Sequence, residues 1–594
     1  MFETPRKSIK TRDAWSESQE ELSETQPVSP VGTGNRGKKK KKRKPQQHAE
    51  KQLASSLQIC TGDPCERKEQ SEKRYTDYDT DEPILRGIFQ IGKKSHDVLL
   101  TSRRVTWSPI QPETPTGHVE TLRHMECVEL KDVFTVKVKR RRSAGQQTGG
   151  TLLGITLFQC QKKGSKLKNR EIHFNNMSTD HCEIWFKNIK EILSGFQNRP
   201  KSLKVFVNPA SHKKEAYEIY RDDVAPLFQL ADIKTDVTIS ARKGHALSIL
   251  KESNLDAYDG VVVVGGDGSV AEVVHGLLLR AQMDAGRDTD SIFTPVRAPL
   301  PLGVIPAGST DIVACSLHGI RHPVTGAMHI IMGNHQEVDV CSFSSFGRLL
   351  RFGFSAMFGF GGQTLALAER NRWMPPGQRR EYAVIKTLAN LNLCLGMFVC
   401  RPEDCELSYL PVKKVQTETL DPVKNESIKD EHVIEGSWST TQGLFLNISV
   451  MAIPCLCSMA PRGLAPTTRL NNGSMALIAA RNTSRSEFIK HLKRYNSVNN
   501  QFSFSFVETH TVQAVKLRPR SQGSWSDNVS EDNRDCEFKN PPIISSEETY
   551  LWNVDGDLLE APSELLIRVH PQLLTLFGVD VEEAEEPHTK CSCI

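Results

Sequence analysis

The stretch Val261-Val262-Val263-Val264-Gly265-Gly266-Asp267-Gly268-Ser269 decides how the rest of the chain reads. Four consecutive β-branched residues form a strand buried on both faces, the kind found inside a parallel sheet. The glycines let the chain leave that strand in a tight turn and bring its backbone close to a ligand. From Val270 to Leu279 apolar residues return at helical spacing. Strand, glycine turn and helix together aim free backbone N–H groups at a phosphate. An acid in the mouth of such a turn repels phosphate, so Asp267 is better explained by a metal or by a substrate hydroxyl. The spacing fits neither the Gly-Lys-Ser/Thr phosphate loop nor the dinucleotide G-x-G-x-x-G turn. Taken alone it is a tight βα turn of any doubly wound sheet.

Working outward, Leu203-Lys204-Val205-Phe206-Val207 reads as a strand ending at Asn208-Pro209. Downstream, residues 301–306 lead into Ala307-Gly308-Ser309-Thr310-Asp311 and a further helical stretch, and near the C-terminus stands Trp552-Asn553-Val554-Asp555-Gly556-Asp557. These segments, in this order, resemble the diacylglycerol-kinase-type catalytic domain shared by diacylglycerol, sphingosine and ceramide kinases. Val224-Ala225-Pro226-Leu227-Phe228, the Gly-Ser-Thr-Asp form at 308–311, Pro461-Arg462-Gly463-Leu464 and Phe506-Val507-Glu508 make the ceramide kinase branch the best match. The resemblance covers roughly residues 83 to 580. It implies a multidomain chain: a pleckstrin-homology-like barrel with a C-terminal helix, an α/β (Rossmann-like) nucleotide domain, and a β-sandwich, with the active site between the last two.

The resemblance also implies chemistry. ATP would be the donor, with Mg²⁺, and a sphingolipid or another hydroxylated lipid the acceptor. Such transfer needs a cradle for the phosphates, neutralisation of their charge and a base for the hydroxyl. By resemblance Asp267 is the catalytic base, and Gly265, Gly266, Asp267 and Gly268 face the substrate. Asn208, Pro209, Ala210, Ser211, His212, Ser240, Glu272, Gly308, Ser309, Thr310, Arg372, Arg379, Asp555, Gly556 and Asp557 fall at ATP-binding positions. Each alone has an ordinary reading, since arginines are mostly solvated and Asp-Gly is mostly a turn.

Three positions depart from the family pattern. After Asn208-Pro209 the relatives carry a Gly-Gly-Lys-Gly type of stretch, whereas this chain reads Ala210-Ser211-His212-Lys213-Lys214-Glu215. Side chains then stand where backbone should approach phosphate, and access to positive φ is reduced. Gln363 falls where sphingosine and ceramide kinases carry a head-group aspartate, and a glutamine cannot act as a carboxylate. Asp557 replaces a glutamate.

The 594 residues, 38% hydrophobic, allow two to four domains. Residues 1–82, rich in Ser, Glu, Gln, Lys and Pro, read as a disordered tail. Residues 83–196 supply strand signals closed by one amphipathic helix carrying Trp185, the pleckstrin-homology-like pattern. Residues 200–345 alternate strand and helix, and 346–580 turn mostly to strands, with polar insertions at 413–438 and 519–548 before a tail at 581–594.

The net charge of +5 is unevenly placed. Lys38, Lys39, Lys40, Lys41, Lys42, Arg43 and Lys44 form a run that reads as a solvated tail or as a nuclear import signal, with RNA or acidic lipid heads as further partners. Residues 137–142 carry a second run inside the first domain, a phosphoinositide-facing loop or a protein-binding one. No aromatic RNA-binding motif accompanies either run. No apolar run is long enough to span a bilayer and no secretory signal opens the chain, so a cytoplasmic and nuclear protein is expected, one that touches membranes only peripherally. The 15 cysteines are scattered, as reduced thiols would be. Cys591, four from the terminus, precedes Ser592 and Cys593, which are poor prenylation partners. Two functions remain: an ATP-dependent lipid kinase, or a non-catalytic lipid or nucleotide sensor built on that fold.

Overall fold

The computed structural model describes residues 82–110, 125–141, 150–211, 213–287, 294–389, 402–412, 437–497, 500–520, 550–561 and 563–580. His212, Lys38 to Lys44, Cys591, and most of the insertions expected at 413–438 and 519–548 lie outside them.

The first unit is a seven-stranded antiparallel sheet, from Leu85–Ile91 to Lys166–Asn175, closed by the helix Thr179–Ser194. Ser178 caps that helix, its side chain accepting from the His181 N–H. Cys182, Trp185, Ile189 and Leu193, spaced three to four apart, face inward. Trp185 is buried with its ring edge-on to Phe89. The cationic run at 137–141 belongs to the strand Val133–Arg141 rather than to a loop, and Lys137 pairs with Asp232 of the next unit at 2.6 Å. Phe134 and Phe158 of this sheet share a core with Tyr220, Phe228 and Met328. The unit is thus packed on its neighbour, not merely tethered to it.

The second unit begins with four parallel strands, in the order Lys234–Ile239, Ser202–Val207, Gly260–Gly265, Leu302–Pro306. Val261 to Val264 are buried, as the continuous β-branched run requires. The strand Leu565–Phe577 continues this sheet beside Leu302 and pairs antiparallel with His335–Ser345 and Val507–Pro519. Among the described residues the parallel and antiparallel halves are therefore one hydrogen-bonded system of 14 strands, joined through the strand Leu565–Phe577. In the antiparallel half, Glu403–Pro411, Ser439–Met451, Met475–Arg481 and Val507–Pro519 pair in a closed ring. The region read as mostly strand also contains helices Phe360–Arg370, Pro376–Ala389 and Arg485–Arg494. The hairpin Tyr550–Val554 and Asp557–Ala561 turns at Asp555-Gly556. That turn faces the first residues of the helix Asp267–Asp284, where a Cβ on Gly556 would lie 3.8 Å from that of Asp267.

Candidate active site

Two glycine turns form the floor of the cleft. Gly266 caps the helix Asp267–Asp284, and Gly308 lies so close that a Cβ on it would stand 2.4 Å from the Cα of Gly266. Neither turn can yield, because the contact is backbone against backbone. Gly265 is equally enclosed, since a Cβ there would meet Ser269 at 2.8 Å. Ser269 Oγ accepts from Asn208 Nδ2 at 2.8 Å, and Asn208 Oδ1 accepts from the Ala210 N–H at 3.0 Å. This Asx turn starts the loop 208–215. Lys214 holds φ at 69°, so the left-handed step that a glycine makes easily is made here by a lysine. The turn is made, with local strain.

Asp311 also stands in the left-handed region, at φ 56°. Its buried carboxylate accepts from the Gly308 N–H at 2.8 Å and pairs with Arg321 at 2.5 Å, which ties the 308–311 turn into a ring. Arg321 also donates to the Gly308 carbonyl.

Asp267 is part-buried, the first residue of its helix, with Oδ1 accepting from the Val313 N–H at 3.3 Å. Its pKa is pushed up to about 7, chiefly by loss of water around the carboxyl, then by the charge of Asp311, with a smaller push from Asp555. The Val313 N–H works the other way. A carboxyl poised near neutrality can take and return a proton. Burial, and then the charges of Asp311 and Asp267, hold the Cys315 thiol up at about 12, where it is no nucleophile.

These residues open onto a cavity of about 1150 Å³. Asn208, Ala210, Ser211, Ser240, Gly266, Asp267, Gly268, Glu272, Gly308, Ser309, Thr310, Arg372, Arg379, Asp555, Gly556 and Asp557 all line it. Pro209 and Gly265 lie behind that lining. Gln363 is also outside it and donates instead to Glu403 at 3.4 Å. On the helix Phe360–Arg370 the residues lining the cleft are Phe360, Gly361, Thr364, Leu365, Ala368 and Glu369, and Gln363 is not one of them.

Several acids assigned to ligand are engaged elsewhere. Glu272 caps the helix His245–Glu252, accepting from the N–H groups of Gly244 (3.1 Å), Ala246 (2.9 Å) and Leu247 (3.3 Å). It occupies an anion position at a helix start while lining the cleft. Asp555 accepts from the N–H groups of Phe354 (2.8 Å) and Ser355 (2.7 Å) and from Ser355 Oγ (2.9 Å), which fastens the hairpin to the adjoining strands. Asp557 meets Lys243 Nζ at 3.2 Å and Arg351 at 2.9 Å, and Arg372 pairs with Glu369. Mg²⁺ is usually held by one or two carboxylates together with substrate phosphates and water rather than by an all-protein cage. Among the described residues no group of three metal-ligating side chains occurs, and the oxygens of Glu272, Asp555 and Asp557 already face N–H groups, ammonium or guanidinium, which makes them poor ligands. Sequence reasoning missed Arg242, Lys243 and Arg380, all lining the cleft with Lys214, although Ser240 to His245 repeats the strand–glycine–helix sign seen at 265. Arg380, beside the expected Arg379, donates to the Ser309 carbonyl at 3.2 Å.

The opposite wall is apolar. Met357, Phe360, Leu365, Val384, Phe488 and Leu492 line it, and Trp373 stands on its rim, 80% exposed. Such a surface suits an acyl chain.

The chain matches three family models in succession: the ceramide kinase PH domain over 85–189, the diacylglycerol kinase catalytic domain over 202–343 and the ceramide kinase C-terminal domain over 354–594. It is 33% identical to the ceramide kinase of Homo sapiens over 68% of this chain and 79% of that one. The chain belongs to the ceramide kinase family. Within that family, it is 55% identical to the ceramide kinase-like protein of Homo sapiens, over 84% of this chain and 91% of that protein. The ceramide kinase family models thus frame the catalytic one on both sides.

Proposed function

We propose that this member of the ceramide kinase family binds an adenine nucleotide in the cleft and a hydroxylated lipid along its apolar wall, with phosphoryl transfer to ceramide impaired. Asp267 supports the transfer chemistry that the family implies. Its carboxylate would take the proton of the lipid hydroxyl as that oxygen bonds to the γ-phosphorus, and the bond from phosphorus to the β-phosphate oxygen would break to release ADP. The observation that carries the impairment is the loop 208–215. Ala210 and Ser211 put side chains into the cradle, and Lys214 keeps the turn only by holding φ at 69°. Misplacing the phosphate by about 1 Å costs roughly 100-fold in rate.

The test is transfer from radiolabelled ATP to ceramide in mixed micelles by the full chain, with human ceramide kinase run beside it. The expected rate is below about one hundredth of the comparison enzyme. The double change Ser211→Gly with Lys214→Gly should raise it by roughly tenfold or more. Ceramide turnover by the unaltered chain at the comparison rate would defeat the reading.

A further inference from the structure

Asp267 has acids for its charged neighbours, whereas the other acids of the cleft are bound up with fixed donors. Among these, Asp557 differs in kind. Glu272 and Asp555 hold backbone N–H groups within their own wall, but Asp557 belongs to the hairpin of the antiparallel half and Lys243 to the turn of the parallel half. The ammonium therefore reaches across the cleft, 3.2 Å from Asp557 Oδ1, with 68% of its side chain exposed. Arg351, only 13% exposed, holds the other oxygen at 2.9 Å from within. Beneath them a Cβ on Gly268 would come within 3.2 Å of Asp557 Oδ1, so the carboxylate sits against the first turn of the helix that carries Asp267.

In phosphoryl transfer a divalent cation ordinarily bridges a carboxylate to the polyphosphate. Mg²⁺ demands oxygen ligands at about 2.0–2.1 Å in near-ideal octahedral geometry and gives up water reluctantly. Against a carboxylate whose two oxygens already face an ammonium and a guanidinium it meets like charge on both. An ammonium has three donors and can hold the carboxylate and a phosphate together. Arg242 and Lys214 line the same side of the cleft and supply further positive charge.

We infer that the cleft binds a nucleoside polyphosphate without a divalent metal, Lys243 bridging Asp557 and the phosphates in the metal's place. This rests on the reading of the cleft as a nucleotide site. It also accounts for binding without efficient transfer, since one mobile ammonium replaces a doubly charged ion on the phosphate oxygens.

Calorimetric titration of the full chain with ATP, once in excess EDTA and once in millimolar Mg²⁺, tests it. The dissociation constants should agree within about threefold. Lys243→Ala should weaken binding in EDTA by roughly tenfold and weaken it less in Mg²⁺, because the emptied Asp557 then accepts the ion. The lysine is exposed, and an unchanged melting profile of the variant checks the fold. If binding by the unaltered chain falls tenfold or more in EDTA, or if Lys243→Ala weakens both titrations equally, the inference is overturned while the nucleotide reading stands. Heat in neither titration overturns both.

Discussion

The turn at 265–269 and the loop at 208–215 both follow a strand of the parallel sheet, and both border the cleft, yet they are built on opposite principles. The first is glycine against glycine: Gly266 and Gly308 touch backbone to backbone, and Gly268 is pressed on Asp557. Nothing there can change without moving two elements at once. The second has side chains where a glycine-rich cradle would expose backbone, and it retains its shape through Asn208 and a left-handed Lys214. The first holds the fold together as well as the chemistry, so its residues are fixed twice over. The second answers only to its ligand, and its composition can drift when the ligand or the reaction changes.

Gly308→Ala attacks the rigid turn and should have the largest effect. A Cβ 2.4 Å from the Gly266 Cα and 2.5 Å from Asp311 Oδ1 cannot be accommodated by rotating a side chain. We expect a loss of about 3 kcal/mol in chemical denaturation. A loss under about 1 kcal/mol would show that the two turns part easily.

Asp267→Asn should have the opposite sign. The folded carboxyl is raised from its ordinary 3.8 to about 7, so the folded chain binds that proton more tightly than the unfolded chain does. The contribution is fully present below pH 3.8 and is lost as the pH rises through about 7. Asparagine carries no charge to desolvate, and at pH 8 the variant should be more stable than the parent by about 2 kcal/mol, allowing for screening of a part-buried group. The gap should close towards pH 4. Thermal denaturation across that pH range reads it, and a gap independent of pH would remove the carboxyl from that role. Transfer of phosphate, at whatever rate the parent achieves, should fall with the same substitution.

The rigid turn was legible in the sequence because its signals are local. A valine run, three glycines and a helical repeat within twenty residues leave few alternatives, and the helix carrying Trp185 is equally plain. What the residues did not disclose is how the acids spend their oxygens. Glu272 and Asp555 stand where the family pattern places ligands, and both are used on backbone N–H groups supplied by segments 26 and 200 residues away. The surroundings of Gln363 were hidden for a related reason. Its side of the helix depends on where the helix begins, and the region from 346 reads as mostly strand until the start at Phe360 is known. Lys243 could have been found from the second strand–glycine–helix sign at Ser240 to His245, but its partner Asp557 lies 314 residues on. Long-range pairing of charges is a property of the folded cleft, and no window of sequence contains it.

Lys214 gives the finest test of the contrast between the two regions. A left-handed residue with a Cβ carries roughly 1–2 kcal/mol of local strain. Lysine and alanine pay it alike, whereas glycine does not, although glycine gives back part of the gain through its greater freedom when unfolded. The informative comparison is therefore Lys214→Gly against Lys214→Ala, in which the ammonium is lost from both and only the Cβ differs. The glycine variant should be more stable by about 1 kcal/mol in chemical denaturation. Equal stabilities would mean that the loop relaxes out of the left-handed step at no cost. The loop would then be soft throughout rather than strained at one residue, and the impairment proposed for it would have to come from the Ala210 and Ser211 side chains alone.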